Sequence, residues 1–208
     1  DSILEQQYKK AETLFENKKY VEGLKLLLEL NESVKKTQNK WLQYKTIFLI
    51  GEIHRKNSNH DKAISYYKNS LKQLDSILLD GQKMDYSYQK YLAENLLRLG
   101  GRYQLQKKND SAIFYYNKLA KLNSLIDETL DAQATSYSNM SAIFQKDSTI
   151  LNYNEKAIDY AERAIAIHKK RNKKLNEAGA INNLASVYFN QGDFEKSKRA
   201  YFQGINLI

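Results

Sequence analysis

The side chains best suited to acid–base or metal chemistry in this sequence are its three histidines, His54, His60 and His168. They lie far apart in the chain, and none has a second ligand at a metal-binding spacing. We interpret His54 as a hydrogen-bonded core residue. Carboxylate pairs such as Asp127 and Glu128 fall at helix ends among solvated residues. We therefore predict no catalytic residue, no metal site and no cofactor, and we expect this region not to be an enzyme.

A glycine pair, Gly100-Gly101, resembles the start of a phosphate-binding loop. Such a loop requires Lys followed by Ser or Thr, whereas Arg102 and Tyr103 follow here. Both glycines also lie within a predicted helix, where they cannot form a loop. We interpret Gly100, together with Gly51, as a residue that allows two helices to approach closely.

The net charge of +9 raises the question of nucleic-acid binding. Lys and Arg outnumber Asp and Glu by 18 to 13 in residues 1–104 and by 15 to 11 in residues 105–208, so the excess is evenly spread. Only six of the 33 basic residues are arginine, the residue favoured for phosphate and base recognition. One dense run, HKKRNKK, spans residues 168–174. We interpret it as a solvated helix end, with a docking patch for an acidic partner or anionic lipid headgroups as the alternative.

The composition favours a folded, all-helical domain. Hydrophobic residues make up 42% of the 208 residues, and 16 tyrosines are too many for a disordered chain. Proline is absent and the eight glycines are scattered, so long helices are uninterrupted. The lack of cysteine excludes disulfides, thiol catalysis and thiolate metal sites. No stretch approaches the roughly 20 apolar residues of a membrane span, so we expect no membrane insertion within these residues.

The elements that position these side chains are indicated by a repeated segment. It is clearest as DKAISYYKNSL at 61–71 and returns as DSAIFYYNKLA at 110–120, EKAIDYAERAI at 155–165 and EKSKRAYFQGI at 195–205, with a weaker copy, VEGLKLLLELN, at 21–31. Except at Ala161, each copy has a small residue one helical turn before a bulkier one: Gly23/Leu27, Ala63/Tyr67, Ala112/Tyr116, Ala157/Ala161 and Ser197/Tyr201. The small residues are 40, 49, 45 and 40 positions apart, which indicates an array of supersecondary units.

Helix start and stop signals divide the chain into five antiparallel helix pairs. The predicted N-caps are Asn59, Asn109 and Asp193, and Gly192 is expected to end the preceding helix. The first predicted helix begins near residue 2. The following nine span about 20–36, 41–56, 60–79, 86–107, 110–129, 132–145, 155–170, 174–190 and 193–208. Polar segments at 80–85 and 146–154 are predicted linkers, and the second is expected to bulge at the surface. The predicted repeats are about 1–39, 40–80, 85–130, 131–172 and 174–208, within a single domain of residues 1–208.

The fifth helix pair closely resembles a tetratricopeptide repeat. The residues that carry the resemblance are Leu184, Ala185, Tyr188, Gly192, Asp193, Phe194 and Ser197. The third pair matches through Leu99, Gly100, Tyr103, Ala112 and Tyr116, and the second through Ile50, Gly51, Ala63 and Tyr67; the first (Ala11, Leu14, Tyr20, Gly23) and the fourth (Met140, Ser141, Phe144, Ala157) match less well. The chain departs from the family in a period longer than the usual 34 residues and in lacking the proline that ends the second helix. Longer second helices account for both departures.

The resemblance implies an all-α fold, a right-handed superhelical array of five antiparallel helix pairs, which is a tetratricopeptide-like α-solenoid. In such arrays the first helices line a concave wall that holds peptides or partner helices. The residues that the resemblance places in this groove are Tyr8, Glu12, Lys45, Phe48, Glu52, Arg55, Arg98, Gln104, Asn139, Gln145, Asn182, Ser186 and Asn190. The family's carboxylate-clamping Lys and Asn are replaced by Tyr8/Glu12, Phe48/Glu52 and Asn182/Ser186. We therefore expect an extended peptide or a protein partner rather than a chaperone C-terminus or a polyanion.

Three hypotheses for the function remain open. The favoured one is the sensor or scaffold region of a bacterial signalling protein, because the Lys-, Asn- and Tyr-rich, proline-free composition resembles tetratricopeptide regions that accompany histidine kinases or helix-turn-helix regulators. The second is a cytoplasmic adaptor that binds a partner peptide. The third is a nucleic-acid-binding regulator that uses residues 168–174, which the scarcity of arginine disfavours.

The ends of the sequence add expectations to the first hypothesis. The chain begins at Asp1 without methionine and reaches Ile208 within an apolar helix, so we expect it to belong to a longer protein. A membrane segment after Ile208 is expected, with an extracytoplasmic location favoured over a cytoplasmic one. A kinase domain is one candidate for the downstream region. The C-terminal helix is a candidate surface for homo-oligomer formation.

Overall fold

Every regular element in the described part of the chain is an α-helix. The computed structural model describes residues 2–79, 85–122, 126–147 and 152–208. The helices within these ranges are α1 (Ser2–Glu16), α2 (Tyr20–Val34), α3 (Lys40–Lys56), α4 (His60–Leu79), α5 (Tyr86–Leu105), α6 (Asn109–Ala120), α7 (Asp127–Lys146), α8 (Tyr153–Lys170), α9 (Lys174–Asn190) and α10 (Phe194–Ile205). None of them is long and apolar enough to cross a membrane. The predicted all-α fold class is confirmed.

The helices pack in chain order within two compact units. Residues Asp1–Arg102 form the first unit and Tyr103–Ile208 the second. In the first unit α1 packs against α2, α2 against α3 and α3 against α4, and α1 also touches α3. In the second unit α6 to α10 pack successively, and α7 also touches α9. The first helices of neighbouring pairs, α1 with α3 and α7 with α9, therefore touch each other. That residues 1–208 form a single domain stays a prediction.

The repeated small and large residues lie in the cores of the helix pairs, as the repeat predicts. The small residues Gly23, Ala63, Ala112, Ala157 and Ser197 are all buried. Their partners Leu27, Tyr67, Tyr116 and Ala161 are fully buried as well. Tyr201 is the exception, because 39% of its surface is exposed. It lies on α10, the last helix of the described residues.

Gly51 confirms the interpretation of this glycine as a packing residue. A Cβ atom at this position would lie 2.9 Å from Cε1 and 3.0 Å from Cδ1 of Tyr67, and 3.3 Å from Cβ of Tyr66. Distances below about 3.0 Å are sterically prohibitive, so α3 and α4 approach each other closely only because residue 51 lacks a side chain. Gly100 is buried inside α5, which agrees with the rejection of a phosphate loop.

The junction between α6 and α7 differs from its prediction. The first of these helices was expected to extend to about Thr129, but α6 ends at Ala120. The second was expected to start at Ala132, but α7 starts at Asp127, after an extended residue, Ile126. The apolar residues of this stretch continue at helical spacing and no Gly or Pro marks the break, so periodicity alone misplaces it. The acidic first turn of α7 is the signal that favours the observed start.

Two of the three predicted N-caps are confirmed. The Asp193 side chain accepts a hydrogen bond from the backbone N–H of Lys196 at 3.1 Å, and Gly192 before it has the positive φ of 79° typical of a helix end. Asn59 accepts a hydrogen bond from the backbone N–H three residues later at 3.4 Å. The prediction for Asn109 is wrong: it is the first residue of α6, and its Nδ2 donates to Oδ2 of Asp147 at 3.1 Å.

Residues of both predicted linkers fall outside the description of the chain. The structure does not describe 80–84 of the break predicted at 80–85, nor 148–151 of the linker predicted at 146–154. The expected surface bulge of the second linker therefore stays a prediction.

Candidate functional site

The first helices carry all thirteen residues predicted to face a groove. In the first unit, Tyr8 and Glu12 lie on α1, Lys45, Phe48, Glu52 and Arg55 on α3, and Arg98 on α5. In the second unit, Gln104 lies at the end of α5, Asn139 and Gln145 on α7, and Asn182, Ser186 and Asn190 on α9. In each unit, some of these predicted residues contact one another directly or through a shared neighbour.

Glu52 is the centre of the most connected group in the first unit. Only 6% of its surface is exposed. Arg55 donates to it from Nε at 2.9 Å and from Nη2 at 2.6 Å, and Nε of Arg98 donates to Oε1 at 2.9 Å. The hydroxyl of Tyr67 donates to the same Oε1. We call these four residues, Glu52, Arg55, Tyr67 and Arg98, the Glu52 centre.

The Glu52 centre is an ionised network. Burial alone would raise the pKa of Glu52, but the hydrogen bond from Arg55, the charge of Arg98 and the hydroxyl of Tyr67 together hold it below its ordinary value. Burial and the nearby Glu52 charge raise the pKa of Tyr67, so its hydroxyl stays a donor. A buried carboxylate with three donors is satisfied, but losing one partner of such a pair typically costs about 3–5 kcal/mol.

Arg102 extends this network and is absent from the predicted groove residues. It lies one turn after Arg98 on α5, and its Nη1 is 3.4 Å from Nδ1 of His60. Its Nε is buried and makes no hydrogen bond within the described residues. Burial lowers the pKa of Arg102, and the charges of Arg55 and Arg98 also lower it. The spacing of four residues from Arg98 is the sequence signal that would have placed it on the same face.

Four aromatic side chains form a second group on α3 and α5. The ring of Tyr44 lies 5.2 Å from Tyr91, 5.7 Å from Phe48 and 6.3 Å from Trp41, and Trp41 is 5.7 Å from Tyr91. Tyr44 is fully buried and donates to the backbone oxygen of Tyr91 at 3.3 Å, whereas the other three rings are half-buried. We call these four residues the aromatic cluster. Phe48 also lies 5.4 Å from Tyr67, so the cluster adjoins the Glu52 centre.

The predicted residues of α1 approach the aromatic cluster. Tyr8 is buried, and burial, together with the charge of Glu12 and a hydrogen bond to it, raises the Tyr8 pKa. Burial raises the pKa of Tyr91 as well, and the charge of Glu12 adds to this, so Glu12 lies near that ring. Lys45 is half-buried on α3 and makes none of these contacts.

The predicted residues of the second unit form smaller groups. Tyr116 donates to Oε1 of Gln104 at 2.8 Å and accepts from Nδ2 of Asn139 at 3.0 Å, so it connects two of them. Near the C-terminus, Ser186 hydrogen-bonds the backbone oxygen of Asn182 and the hydroxyl of Tyr201, both at 3.0 Å. Half-buried Gln145 and exposed Asn190 take no part in these contacts.

Two segments match known repeat models. Residues 178–207 and residues 46–81 each match a family model described as tetratricopeptide repeat. The chain contains tetratricopeptide repeats. They make it a helical repeat module of the protein-binding type, and the family predicted from the sequence is confirmed.

Solved structures with low sequence identity share the tetratricopeptide fold. BtubC from P. vanneervenii superposes with a TM-score of 0.77 and 17% identity, over 99% of this chain and 80% of that one. The apo form of RapI gives a TM-score of 0.80 and 13% identity, over 97% of this chain and 52% of that one. A putative kinesin light chain with TPR-like repeats from Podosopora anserina gives a TM-score of 0.71 and 14% identity, over 99% of this chain and 95% of that one. No curated protein matches the sequence.

The basic run before the last tetratricopeptide repeat is partly paired with acidic residues. Arg171 contacts Asp127 at 2.5 Å through Nη1 and Asp131 at 3.1 Å through Nε, and Lys173 lies 4.0 Å from Asp131. His168 is buried, with 2% of its surface exposed. The run is therefore not a uniformly solvated helix end, and fewer of its cations are available for an anionic partner.

His54 packs in the interior of the second helix pair. His54 is buried, as predicted, and its ring stacks on Tyr66 with centroids 5.3 Å apart. Burial lowers the pKa of His54, and the charge of Lys62 lowers it further. In the described residues no group of three or more His, Cys, Asp or Glu is arranged to hold a metal ion.

Two further surfaces of the tetratricopeptide helices contain none of the thirteen predicted groove residues. A groove of about 740 Å³ lies beside α2 and α4 and is lined by Leu24, Leu28, Asn31, Glu32, Lys35, Ile47, His54, Lys62, Ser65, Tyr66, Asn69 and Gln73. An apolar hollow of about 420 Å³ on the last pair is lined by Phe189, Phe194, Ser197, Lys198, Tyr201, Phe202 and Ile205. The second surface includes the C-terminal helix, for which homo-oligomer formation stays a prediction.

Proposed function

We propose that the first unit binds an extended peptide segment of a protein partner along α3 and α5. The observation that carries the proposal is the continuity of the aromatic cluster with the Glu52 centre on one face of these two helices. Tetratricopeptide arrays hold peptides on the walls formed by their first helices, and α3 and α5 are first helices of their pairs.

Residue spacing explains why these side chains share one face. On α3, Trp41, Lys45, Phe48, Glu52 and Arg55 follow one another at intervals of three or four residues. On α5, Tyr91, Glu94, Arg98 and Arg102 repeat at the same intervals. Such intervals align side chains in one stripe along a helix. At 1.5 Å per residue, the 14 positions from Trp41 to Arg55 extend over roughly 21 Å.

The chemistry of the stripe suits an extended peptide. Half-buried rings such as Trp41, Phe48 and Tyr91 offer rigid apolar area that takes up ligand side chains at a small entropic cost. The guanidinium groups of Arg55 and Arg98 keep donors beyond those bonded to Glu52, and a peptide backbone supplies carbonyl acceptors.

A peptide-library selection with one matched pair of variants tests the proposal. Peptides selected on the wild-type protein should bind Phe48→Ala at least about tenfold more weakly, because removing a central aromatic anchor commonly has such an effect. Phe114→Ala is the control, since Phe114 is an exposed phenylalanine on α6 in the second unit. Equal binding by both variants, with melting temperatures unchanged, would contradict the proposed surface.

We further propose that the module is the sensor or scaffold region of a bacterial signal-transduction protein. The composition and the resemblance to repeat regions of histidine kinases and helix-turn-helix regulators support this role. The complete reading frame tests it: a kinase or DNA-binding domain in the same protein would agree, whereas a frame encoding only repeats would favour a self-contained adaptor. That the repeat region itself is not an enzyme stays a prediction.

Nucleic-acid binding has less support than peptide binding. Its candidate surface is the basic run, where Arg171 and Lys173 already face Asp127 and Asp131. If this surface bound nucleic acid, charge reversal of Lys169, Lys170, Lys173 and Lys174 would abolish binding and flatten its salt dependence. We expect no such binding by the wild-type protein in a mobility-shift assay.

A further inference from the structure

Half of the arginines in the chain are concentrated on one small area of the first unit. The sequence has six arginines, and Arg55, Arg98 and Arg102 lie on α3 and α5 around the Glu52 centre. Outside this area, Arg163 pairs with Asp159 on the same helix and Arg171 pairs with Asp127 and Asp131. Because lysine dominates elsewhere, this concentration of guanidinium groups indicates a requirement for their planar, multiply donating geometry.

The carboxylates in this area do not balance the three guanidinium groups. Glu52 accepts hydrogen bonds from both Arg55 and Arg98, and Glu94 accepts from Arg98 at 3.2 Å. Arg102 has no carboxylate partner within the described residues. Its polar contact there is the ring nitrogen of His60 at 3.4 Å. Among these five side chains, three guanidinium groups therefore face two carboxylates, and Arg102 is the one that bonds to neither carboxylate.

The three arginines also have N–H donors that do not bond to Glu52 or Glu94. Arg55 and Arg98 each use two of their five N–H donors in the bonds to Glu52 and Glu94. The Nε of Arg102 is buried without a hydrogen bond in the described residues. A buried charged donor without an acceptor is unfavourable, so a movement of the half-buried Arg102 side chain that brought this donor to a ligand oxygen atom would be stabilising.

The guanidinium groups remain accessible to a ligand. The side chain of Arg98 is 31% exposed and that of Arg55 is 21% exposed, whereas Glu52 beneath them is only 8% exposed by the same measure. Ligand atoms arriving at this surface would thus meet positive charge first. The buried Glu52 holds Arg55 and Arg98 in place, which reduces the entropy lost when a ligand binds.

We infer that Arg55, Arg98 and Arg102 form a recognition site for a carboxylate group of the bound peptide. The inference rests on the proposed function and names the chemistry that the ligand must supply. A carboxylate matches the one guanidinium group without a carboxylate partner in the described residues, whereas a phosphate monoester would bring nearly two negative charges beside Glu52 and Glu94. The site does not use the Lys and Asn positions of the family clamp, because Tyr8/Glu12 and Phe48/Glu52 stand there.

The helix geometry also predicts where the carboxylate lies in the peptide. Tyr91 precedes Arg98 by seven residues and Arg102 by eleven, which corresponds to roughly 10–16 Å along α5. An extended peptide advances about 3.3 Å per residue. The carboxylate should therefore lie about three to five residues from the apolar side chain that contacts the aromatic cluster.

Two peptide libraries that differ in one functional group test the inference. Both have an N-acetylated aromatic residue, two to four random residues and a final position, which is Asp or Glu in one library and Asn or Gln in the other. All C-termini are amidated, and a third set carries a free C-terminus to separate a side-chain carboxylate from a terminal one. We expect the wild-type protein to bind the best carboxylate peptide at least about tenfold more tightly than its amide counterpart.

Two variants and one spectroscopic measurement locate the effect. Arg102→Gln should lose this preference and keep a melting temperature close to that of the wild type, because Arg102 makes no hydrogen bond to a carboxylate in the described residues. Arg163→Gln should keep the preference. In spectra of the arginine Nε–Hε groups, the carboxylate peptide should shift the signals of Arg55, Arg98 and Arg102 and leave the other three in place.

The outcomes separate this inference from the proposed function. Tight binding that is equal for carboxylate and amide peptides, or a preference retained by Arg102→Gln, would overturn the carboxylate site and leave the peptide-binding surface standing. Failure of every library to bind the wild-type protein would contradict the proposed surface itself, and the inference with it.

Discussion

Replacing Gly51 with alanine tests the close packing of α3 and α4 that positions the Glu52 centre. The new methyl group would lie 2.9 and 3.0 Å from two ring carbons of Tyr67. This ring cannot move freely, because it is fully buried and its hydroxyl is bonded to Glu52. Overpacking of this kind typically costs about 1–3 kcal/mol. The greater helix propensity of alanine offsets about 1 kcal/mol of that cost.

Gly179→Ala provides a control with the same chemical change. Gly179 lies inside α9, and a Cβ atom there would have no neighbour within 4 Å. We expect this variant to be stabilised by about 0.5–1 kcal/mol from propensity alone. The difference between the two variants cancels the propensity gain and should be about 1–3 kcal/mol, measured by urea unfolding followed by circular dichroism. Equal stabilisation of both proteins would refute the close approach at Gly51.

Three further predictions concern packing, pH and association. Ala112→Trp should overpack a helix crossing and destabilise the protein by at least about 1–3 kcal/mol. Thermal unfolding should show Lys108→Trp, which changes a surface residue, to be nearly neutral. Equal effects of the two substitutions would contradict the repeat register. Burial lowers the pKa of both His54 and His168. The stability that their neutral forms provide should therefore be present above about pH 6.5 and fall as the pH drops towards 5. A urea concentration at the unfolding midpoint that stays constant over this pH range would argue against their burial. If α10 mediates self-association, sedimentation velocity should show wild-type oligomers that Phe202→Asp dissociates, and a monomeric wild type would contradict that role.

Local chemistry explains why most helix boundaries could be predicted from the sequence. The bounds of α9 agree with the prediction at both ends, because Gly192 supplies the positive φ and Asp193 caps the next helix through its own side chain. Where several polar residues adjoin, the cap is ambiguous, as at Lys108 and Asn109. There a tertiary contact to Asp147 engages the side chain that was expected to cap the helix.

The candidate site was predictable only in part. The resemblance to tetratricopeptide repeats placed Phe48, Glu52 and Arg98 on groove-facing first helices, and the structure connects them through the Glu52 centre and the aromatic cluster. The pairing partners were not predictable, because Tyr67 comes from the second helix of the pair and Glu52 bonds to Arg98 across 46 positions of sequence. Helical spacing could have placed Arg102 on the same face as Arg98, but its lack of a carboxylate partner is evident only once α3 and α5 come together.

Trp41 offers the most direct test of the central claim that α3 and α5 bind a peptide. It is the single tryptophan of the chain and belongs to the aromatic cluster. Its emission therefore reports on this surface alone. Titration with a library-selected peptide should change the emission saturably, with the dissociation constant found by an independent binding assay and with no such change in Phe48→Ala at the same peptide concentrations. Binding that leaves the emission of Trp41 unaltered would place the peptide elsewhere and contradict the account.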